Sequence, residues 1–283
     1  MQNRETLLHS IFQLSPKNEI WRTPIPGLTI YAADRSSITK GYIQDPSLCV
    51  VMLGERQICT NGQCQVFGHN EMMFCPVNLP VTTLNINVPE NSDYLSLSLR
   101  IDFDLVARTM AQLPDVKISS VSVNQTKWQL IEEIDDCLLR LLNLLYFPKR
   151  IDFIAPLILQ ELYFYLLQSP QGNALRSLVA QEGKIHKIAK AAQYLEQHYV
   201  ENLNMGELAK EVGMSVAGFY AHFKNITSMT PLQYQKSLRL NMAREKLQAG
   251  VSVSEVAYES GYESPSQFSR EYKRQFGSSP KGK

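Results

Sequence analysis

Cys49, Cys59, Cys64, Cys75 and Cys137 have the strongest intrinsic chemistry in this 283-residue chain, and four of the five fall within one short stretch of the first third. Their number is odd, and no CxxC pair or zinc-type Cys/His spacing occurs, so reduced thiols in a cytoplasm are expected. Four neighbouring thiols also permit a sensor of oxidants or electrophiles, although buried thiols are usually inert. Metal chemistry has less to build on. Only His9 and His69 precede residue 184, and they form no HxH pair. A glycine-rich phosphate loop and a GxSxG elbow are also missing. The expectation is a protein that is not an enzyme and carries neither a metal nor a cofactor.

The segment that holds the thiols reads as short β segments at 28–31, 48–53, 65–67, 71–74 and 94–101. They are punctuated by Pro24-Ile25-Pro26-Gly27, Asn61-Gly62, Pro76, Pro80 and Pro89-Glu90-Asn91, where strands should stop. This spacing favours a small barrel or sandwich. In Tyr94-Leu95-Ser96-Leu97-Ser98-Leu99-Arg100 the leucines alternate with serines, which puts Leu95, Leu97 and Leu99 on one buried face. The mouth of such a barrel is the default site for a small effector. Tyr31, Tyr42, Cys49, Met73 and Cys75 are candidates to line it, with simple core packing as the alternative.

From about residue 127 to 168 the apolar period becomes helical, first with Trp128, Ile131, Ile134, Leu138, Leu141, Leu142 and Leu145, then from Ile154 to Leu166. Phe147-Pro148 separates the two helices, because proline cannot continue the first. Leu138, Leu141, Leu142 and Leu145 form either a stripe packed on the barrel or the seam of a homodimer. Ser169-Pro170-Gln171-Gly172 closes the second helix, so residues 1–172 read as one domain and 173–183 as a linker. With 44% apolar and 19% charged residues the chain reads as globular. No membrane span is expected from its apolar runs and no export from its first fifteen residues.

Cutting the chain near Gly183 separates its charge. Residues 184–283 carry 14 Lys/Arg against 9 Glu, a balance of +5, and the rest carries −4. A basic last third suits nucleic acid. This third also repeats itself. Glu207-Leu-Ala-Lys-Glu-Val-Gly213 aligns with Glu255-Val-Ala-Tyr-Glu-Ser-Gly261 at an offset of 48, and Phe219, Phe223, Lys224 and Pro231 align with Phe268, Tyr272, Lys273 and Pro280 at 49. In each copy a short helix ends at a glycine that must turn with positive φ, Gly213 or Gly261, and a serine, Ser215 or Ser264, caps the next helix. Ala209 and Ala257 allow the two helices to cross closely. These are two helix-turn-helix units. Thr230-Pro231 starts and Gly250 stops a single connecting helix of roughly 18 residues, about 27 Å long, which suits two probes entering adjacent major grooves.

Residues 186–280, and most specifically Gly261-Tyr-Glu-Ser-Pro-Ser-Gln-Phe-Ser-Arg-Glu-Tyr-Lys-Arg-Gln-Phe-Gly277 with Ser279-Pro280, resemble the DNA-binding domain of the AraC family of bacterial regulators. Gln160-Glu-Leu-Tyr-Phe-Tyr-Leu-Leu with Gly172 resembles the members that have a cupin-like N-terminal domain. The resemblance implies an α+β protein of two domains. A cupin-like β-barrel with trailing amphipathic helices would sense a small-molecule effector, and an all-α double helix-turn-helix domain would bind double-stranded DNA. A homodimer, and RNA polymerase as a candidate further partner, belong to the same expectation. By this resemblance the exposed positions of the second recognition helix are Ser266, Gln267 and Arg270. Arginine can pair bidentately with guanine and glutamine with adenine. The corresponding positions of the first unit are Ala217, Gly218 and Ala221, with Tyr220 and His222 nearby. Alanines can touch thymine methyls but read no donor pattern, so looser or shape-based specificity is expected there. Lys224, Lys236, Arg239, Lys273 and Arg274 are candidates for phosphate contacts, or are simply solvated charges. Two rival readings, a DNA-repair methyl acceptor and a ligand-blind architectural protein, remain. The first lacks its four-cysteine zinc unit, and the second would bind DNA without responding to any metabolite.

Overall fold

The computed structural model describes residues 3–33, 37–60, 63–69, 71–87, 94–113, 127–170, 172–180 and 182–280. A helix, α1 (Arg4–Leu14), precedes nine strands. These are β1 (Ile20–Arg22), β2 (Leu28–Ala33), β3 (Ser37–Gln44), β4 (Ser47–Leu53), β5 (Glu55–Thr60), β6 (Gln63–Phe67), β7 (Glu71–Cys75), β8 (Leu79–Asn87) and β9 (Tyr94–Arg100). Next come α2 (Phe103–Ala111), a short strand β10 (Lys127–Gln129), α3 (Glu132–Leu144), α4 (Ile151–Gln168) and α5 (Gly172–Ala180). The remainder is helical: α6 (Glu182–Gln197), α7 (Met205–Glu211), α8 (Val216–Thr227), α9 (Pro231–Gln248), α10 (Val253–Glu259) and α11 (Pro265–Phe276). The expected α+β architecture is therefore present, a β domain with trailing helices followed by an all-α domain.

All five strands read from sequence occur, and β1, β3, β5, β8 and β10 add to them. They form a six-stranded sheet in the order β1-β2-β9-β4-β7-β10 and a four-stranded sheet in the order β3-β8-β5-β6. The turns at Asn61-Gly62 and Pro89-Glu90-Asn91 lie outside the described residues. Pro80 does not stop a strand. It sits near the start of β8 opposite Ile43, beyond the stretch of β8 that pairs with β5, so its missing N–H costs no bond on that side.

The alternation in β9 has a clear consequence. Leu95, Leu97 and Leu99 are buried, in line with Leu28 and Ile30 of β2 and Leu48 and Val50 of β4, on the face that joins the main apolar core. The opposite face carries Thr29 and Tyr31, Ser96 and Ser98, then Ser47 and Cys49, brought side by side by the strand register.

Trp128 does not begin a helix. Its strand pairs Trp128 with Met72, and the indole stacks on Phe74 with ring centroids 4.1 Å apart. The helical period of the sequence is genuine only from residue 132. Leu138, Leu141, Leu142 and Leu145 are buried, with Leu141 and Leu142 fully so. Their stripe packs against α4, which the sequence reading had not set against it, so these four leucines are core and not a dimer seam.

Residues Pro148–Gln168 are long and apolar enough to cross a membrane by length and composition, contrary to expectation. In the fold this helix packs on α3, α2 and α5, burying Ala155, Ile158, Leu162 and Leu166. The segment read as a linker is mostly α5, with Leu175 and Ser177 buried. Arg176 donates to the carbonyl of Leu167 and so satisfies an end of α4 that would otherwise lack a partner.

Cys59 and Cys64 face one another across the β5–β6 hairpin and are joined by a disulfide, which corrects the expectation of five reduced thiols. Register explains the pairing, since both belong to one cross-strand pair with Cα atoms 4.0 Å apart.

Candidate nucleic-acid interface

The two helix-turn-helix units use the same local chemistry. Gly213 has φ of 65° and Gly261 of 78°. The N–H of the residue after each glycine returns to the carbonyl of the expected alanine, Met214 to Ala209 and Tyr262 to Ala257. This is the left-handed helix ending that glycine permits without a steric penalty. Ser215 accepts from the Gly218 N–H at 3.2 Å and Ser264 from Gln267 at 3.3 Å, capping α8 and α11. Ala209 and Ala257 are fully buried where the helices cross. Thr230 and Gln233 form a reciprocal capping box at the start of α9, and Gly250 ends it with φ of 88°.

On α11, Phe268 and Tyr272 are buried as expected, while Ser266 and Arg270 are exposed and Gln267 is half-buried at the helix start. On α8, Ala217 and Ala221 are exposed and Tyr220 is half-buried, its ring edge-on to Phe219. Lys224, Lys273 and Arg274 are exposed on the same two helices. Lys184, Lys187 and His222 border a groove at the start of α8, where Lys187 donates to the Gly213 carbonyl at 2.8 Å. Sequence reasoning did not single out these two lysines, because only the fold brings α6 to the first turn.

Two further phosphate candidates are engaged within the fold. The Lys236 ammonium lies 2.8 Å from the Glu271 carboxylate, tying α9 to α11. Arg239 faces inward: its guanidinium donates to the carbonyls of Tyr199 at 2.6 Å, Val200 at 3.0 Å, Glu201 at 2.9 Å and Gly261 at 3.0 Å. Gln235, one turn earlier, donates to Tyr199 and Glu201 as well. Arg239 thus holds the second turn against the end of α6 and is not available to a phosphate. Gly261 is required here on two counts, since a Cβ would lie 2.5 Å from the Val200 carbonyl oxygen in addition to the strained φ.

Between the sheets lies a cavity of about 910 Å³. Of the expected lining residues, Tyr31, Tyr42 and Cys49 border it, whereas Met73 and Cys75 are sealed in the core behind. Arg56, Thr83, Gln44, Ser96 and Ser98 also border it and were missed. Arg56 donates to the Tyr42 hydroxyl and, at 2.7 and 3.2 Å, to the Thr83 hydroxyl. Burial pushes the Tyr42 phenol up to about 12, partly offset by Arg56. The Cys75 thiol, helped by the Ser47 and Ser98 hydroxyls and Arg56, brings Cys49 down to about 6 against the effect of burial. Cys75, hydrogen-bonded to Cys49 and buried, is raised well above the usual thiol range.

Glu245 and Gln248 of α9 line the same cavity. One turn earlier, Asn241 accepts from the Thr82 hydroxyl at 3.0 Å and donates to the Val81 carbonyl at 3.4 Å. Gly41 permits this approach, because a Cβ there would lie 2.7 Å from the Asn241 side chain. Tyr234 adds a bond to the Asn78 carbonyl at 2.7 Å. One helix therefore connects the two helix-turn-helix units and rests on the cavity-bearing domain.

A family model described as the AraC-type transcriptional regulator N-terminus matches residues 24–174, and one described as a helix-turn-helix domain matches residues 208–282. Among curated proteins, the chain is similar to the HTH-type transcriptional regulator ExsA of Pseudomonas aeruginosa, 28% identical over 128 residues that make up 45% of this chain and 46% of that protein. It is also similar to the HTH-type transcriptional activator RhaS of Yersinia pestis, 31% identical over 156 residues, 54% of this chain and 55% of that one. The chain thus spans about half the length of these curated relatives. Among solved structures, ToxT from Vibrio cholerae bound to (E)-4-(8-methylnaphthalen-1-yl)but-3-enoic acid superposes with a TM-score of 0.47 at 11% identity, covering 90% of this chain and 96% of that one. An AraC-type DNA-binding-domain regulator from Chromobacterium violaceum is 30% identical over 35% of this chain and 89% of its own, with a TM-score of 0.33.

Replacing Arg239 by alanine removes several charge-assisted bonds and is expected to cost about 2–4 kcal/mol in urea unfolding, with lysine recovering only part because an ammonium cannot span the same fork. A loss below about 0.5 kcal/mol, the level of an ordinary surface substitution, would show the clamp to be incidental. Iodoacetamide at pH 7 should alkylate Cys49 well ahead of Cys75 and of Cys137, the latter pushed up to about 11 by burial. Peptide mass spectrometry reads the order, and equal rates at the three thiols would refute a thiolate at Cys49.

Proposed function

The chain belongs to the AraC-type family of transcriptional regulators, and on that premise we propose that it reads a specific DNA sequence through α8 and α11 under the control of a small molecule held in the cavity of its β domain. Its action is in the cytoplasm, where its DNA is. The observation that carries this reading is the double role of α9. Its ends hold the two helix-turn-helix units, and its Glu245 and Gln248 form part of the cavity wall. A molecule that fills the cavity pushes or pulls on the element that sets the separation of the two probes. Affinity for DNA then responds to occupancy by as much as the molecule prefers one placement of α9 over the other.

Base reading falls chiefly to Arg270, Gln267 and Ser266, with Ala217, Tyr220 and Ala221 supplying apolar contacts and shape recognition. Lys224, Lys273 and Arg274, with Lys184 beside α8, neutralise phosphates. We place the homodimer contact on the outward stripe of α4. Phe153 is 74% exposed and Leu157 54%, and Phe164 continues the same line. Large apolar side chains aligned on one exposed helix face are what a second copy would cover.

Footprinting of the purified chain against a random operator library, with and without a metabolite set, tests the reading as a whole; DNA affinity indifferent to every metabolite would favour an architectural protein instead. Arg270→Ala should cost roughly 1–3 kcal/mol at one base position, whereas Lys273→Ala should weaken all sequences alike and lower the salt slope by about one. Equal losses on operator and random DNA for Arg270→Ala would remove its base-reading role. For the dimer, Phe153→Lys with Leu157→Lys should sediment as a monomer with unchanged thermal stability, and persistence of the dimer would move the contact elsewhere.

A further inference from the structure

Arg56 is a half-buried cation on the cavity wall whose hydrogen-bond acceptors among the described residues are neutral hydroxyls. Its Nε and Nη2 donate to the hydroxyls of Thr83 and Tyr42, and the Tyr94 hydroxyl lies beside the same group. No carboxylate of the described residues pairs with it. Guanidinium keeps its charge at any physiological pH, so the group cannot escape the cost of burial by losing a proton. Cys49 is the nearby group best able to carry negative charge. Its charged form is favoured more by Cys75 and the Ser47 and Ser98 hydroxyls than by Arg56.

A guanidinium that meets only neutral hydroxyls and no carboxylate among the described residues, on the wall of a cavity large enough for a metabolite, is complementary to an anionic oxygen. The rest of the wall indicates what else the ligand carries. Thr29, Ser96 and Ser98 place a row of hydroxyls on one side of the cavity. The side chains of Leu97 and Leu99 are buried in the core, while Ile20 and Ile43 add apolar patches to the same wall.

We propose that the cavity binds a small hydroxylated organic acid, its carboxylate on the Arg56 guanidinium and its hydroxyls along the Ser96 and Ser98 row. The assignment rests on the reading of this cavity as the effector site. In the empty state Arg56 then costs stability, and it is kept because the ligand requires it.

The test uses the full chain and thermal unfolding in a buffer free of organic acids. Glycolate, lactate, gluconate, galacturonate and 4-hydroxybenzoate are compared with glycolamide, lactamide, glucitol, galactose and 4-hydroxybenzamide, and with octanoate and inorganic phosphate. At least one hydroxy acid should raise the melting temperature and bind at least tenfold more tightly than its neutral counterpart by calorimetry, and Arg56→Met should abolish that response. Arg56→Met without ligand should melt no lower than the parent chain. A fall of several degrees would make Arg56 structural and overturn the proposal, as would equal binding of acid and neutral counterpart. Octanoate or phosphate binding more tightly than every hydroxy acid would overturn it too. If neutral sugars bind and shift the footprint, only the acid assignment fails; if no compound changes either melting or footprint, the effector site itself fails with it.

Discussion

The placement of the second DNA probe depends on the fan of bonds from Arg239. A guanidinium offers five donors in one plane, and here it gathers three carbonyls of the turn after α6 together with that of the turn glycine Gly261. Those carbonyls belong to the turn that follows α6, where no helical ladder supplies them with donors. A single side chain on α9 thereby fixes the beginning of the all-α domain, its long connecting helix and its second turn relative to one another. Lys236 with Glu271 and Arg244 stacked 4.5 Å over Phe276 reinforce the same contact between α9 and α11.

The first unit is held differently. Its buried side chains, Phe219, Phe223 and Leu208 among them, belong to the apolar core that runs through α6 and α5 into the β domain. Tyr234 and Asn241 then fasten α9 to β8 through bonds that water would readily supply if the faces parted. Hydrogen bonds of this kind give little net energy but fix the register, and Gly41 lets the helix come close enough to make them.

What was legible in the sequence was the local chemistry. Turn glycines, serine caps, crossing alanines and the Thr230-Pro231 start are decided within a few residues, and all stand where the repeat placed them. The leucine and serine alternation of β9 was equally plain, although periodicity alone does not show that its polar face looks into a cavity. Assignments that failed depended on distant partners. The stripe Leu138 to Leu145 looked like surplus apolar surface until α4 covered it, and Trp128 fitted a helical period while pairing with Met72 as a strand. Arg239 looked like any surface cation because its four acceptors lie more than twenty residues away. Arg56 escaped notice for the same reason, since its neighbours Tyr42 and Thr83 come from other strands.

The apolar interior is divided, and not where the charge of the chain divides. Leu240, Val256, Tyr262, Phe268 and Phe276 form a cluster of their own, separate from the one that unites the β domain with the first helix-turn-helix unit. Cooperative melting follows shared packing, so the natural seam for partial opening falls along α9, between the two DNA probes. On the proposed reading, the half of the operator assigned to α11 would then be released and recaptured many times while α8 stays in place, giving the complex a graded grip in which occupancy of one half-site outlasts that of the other.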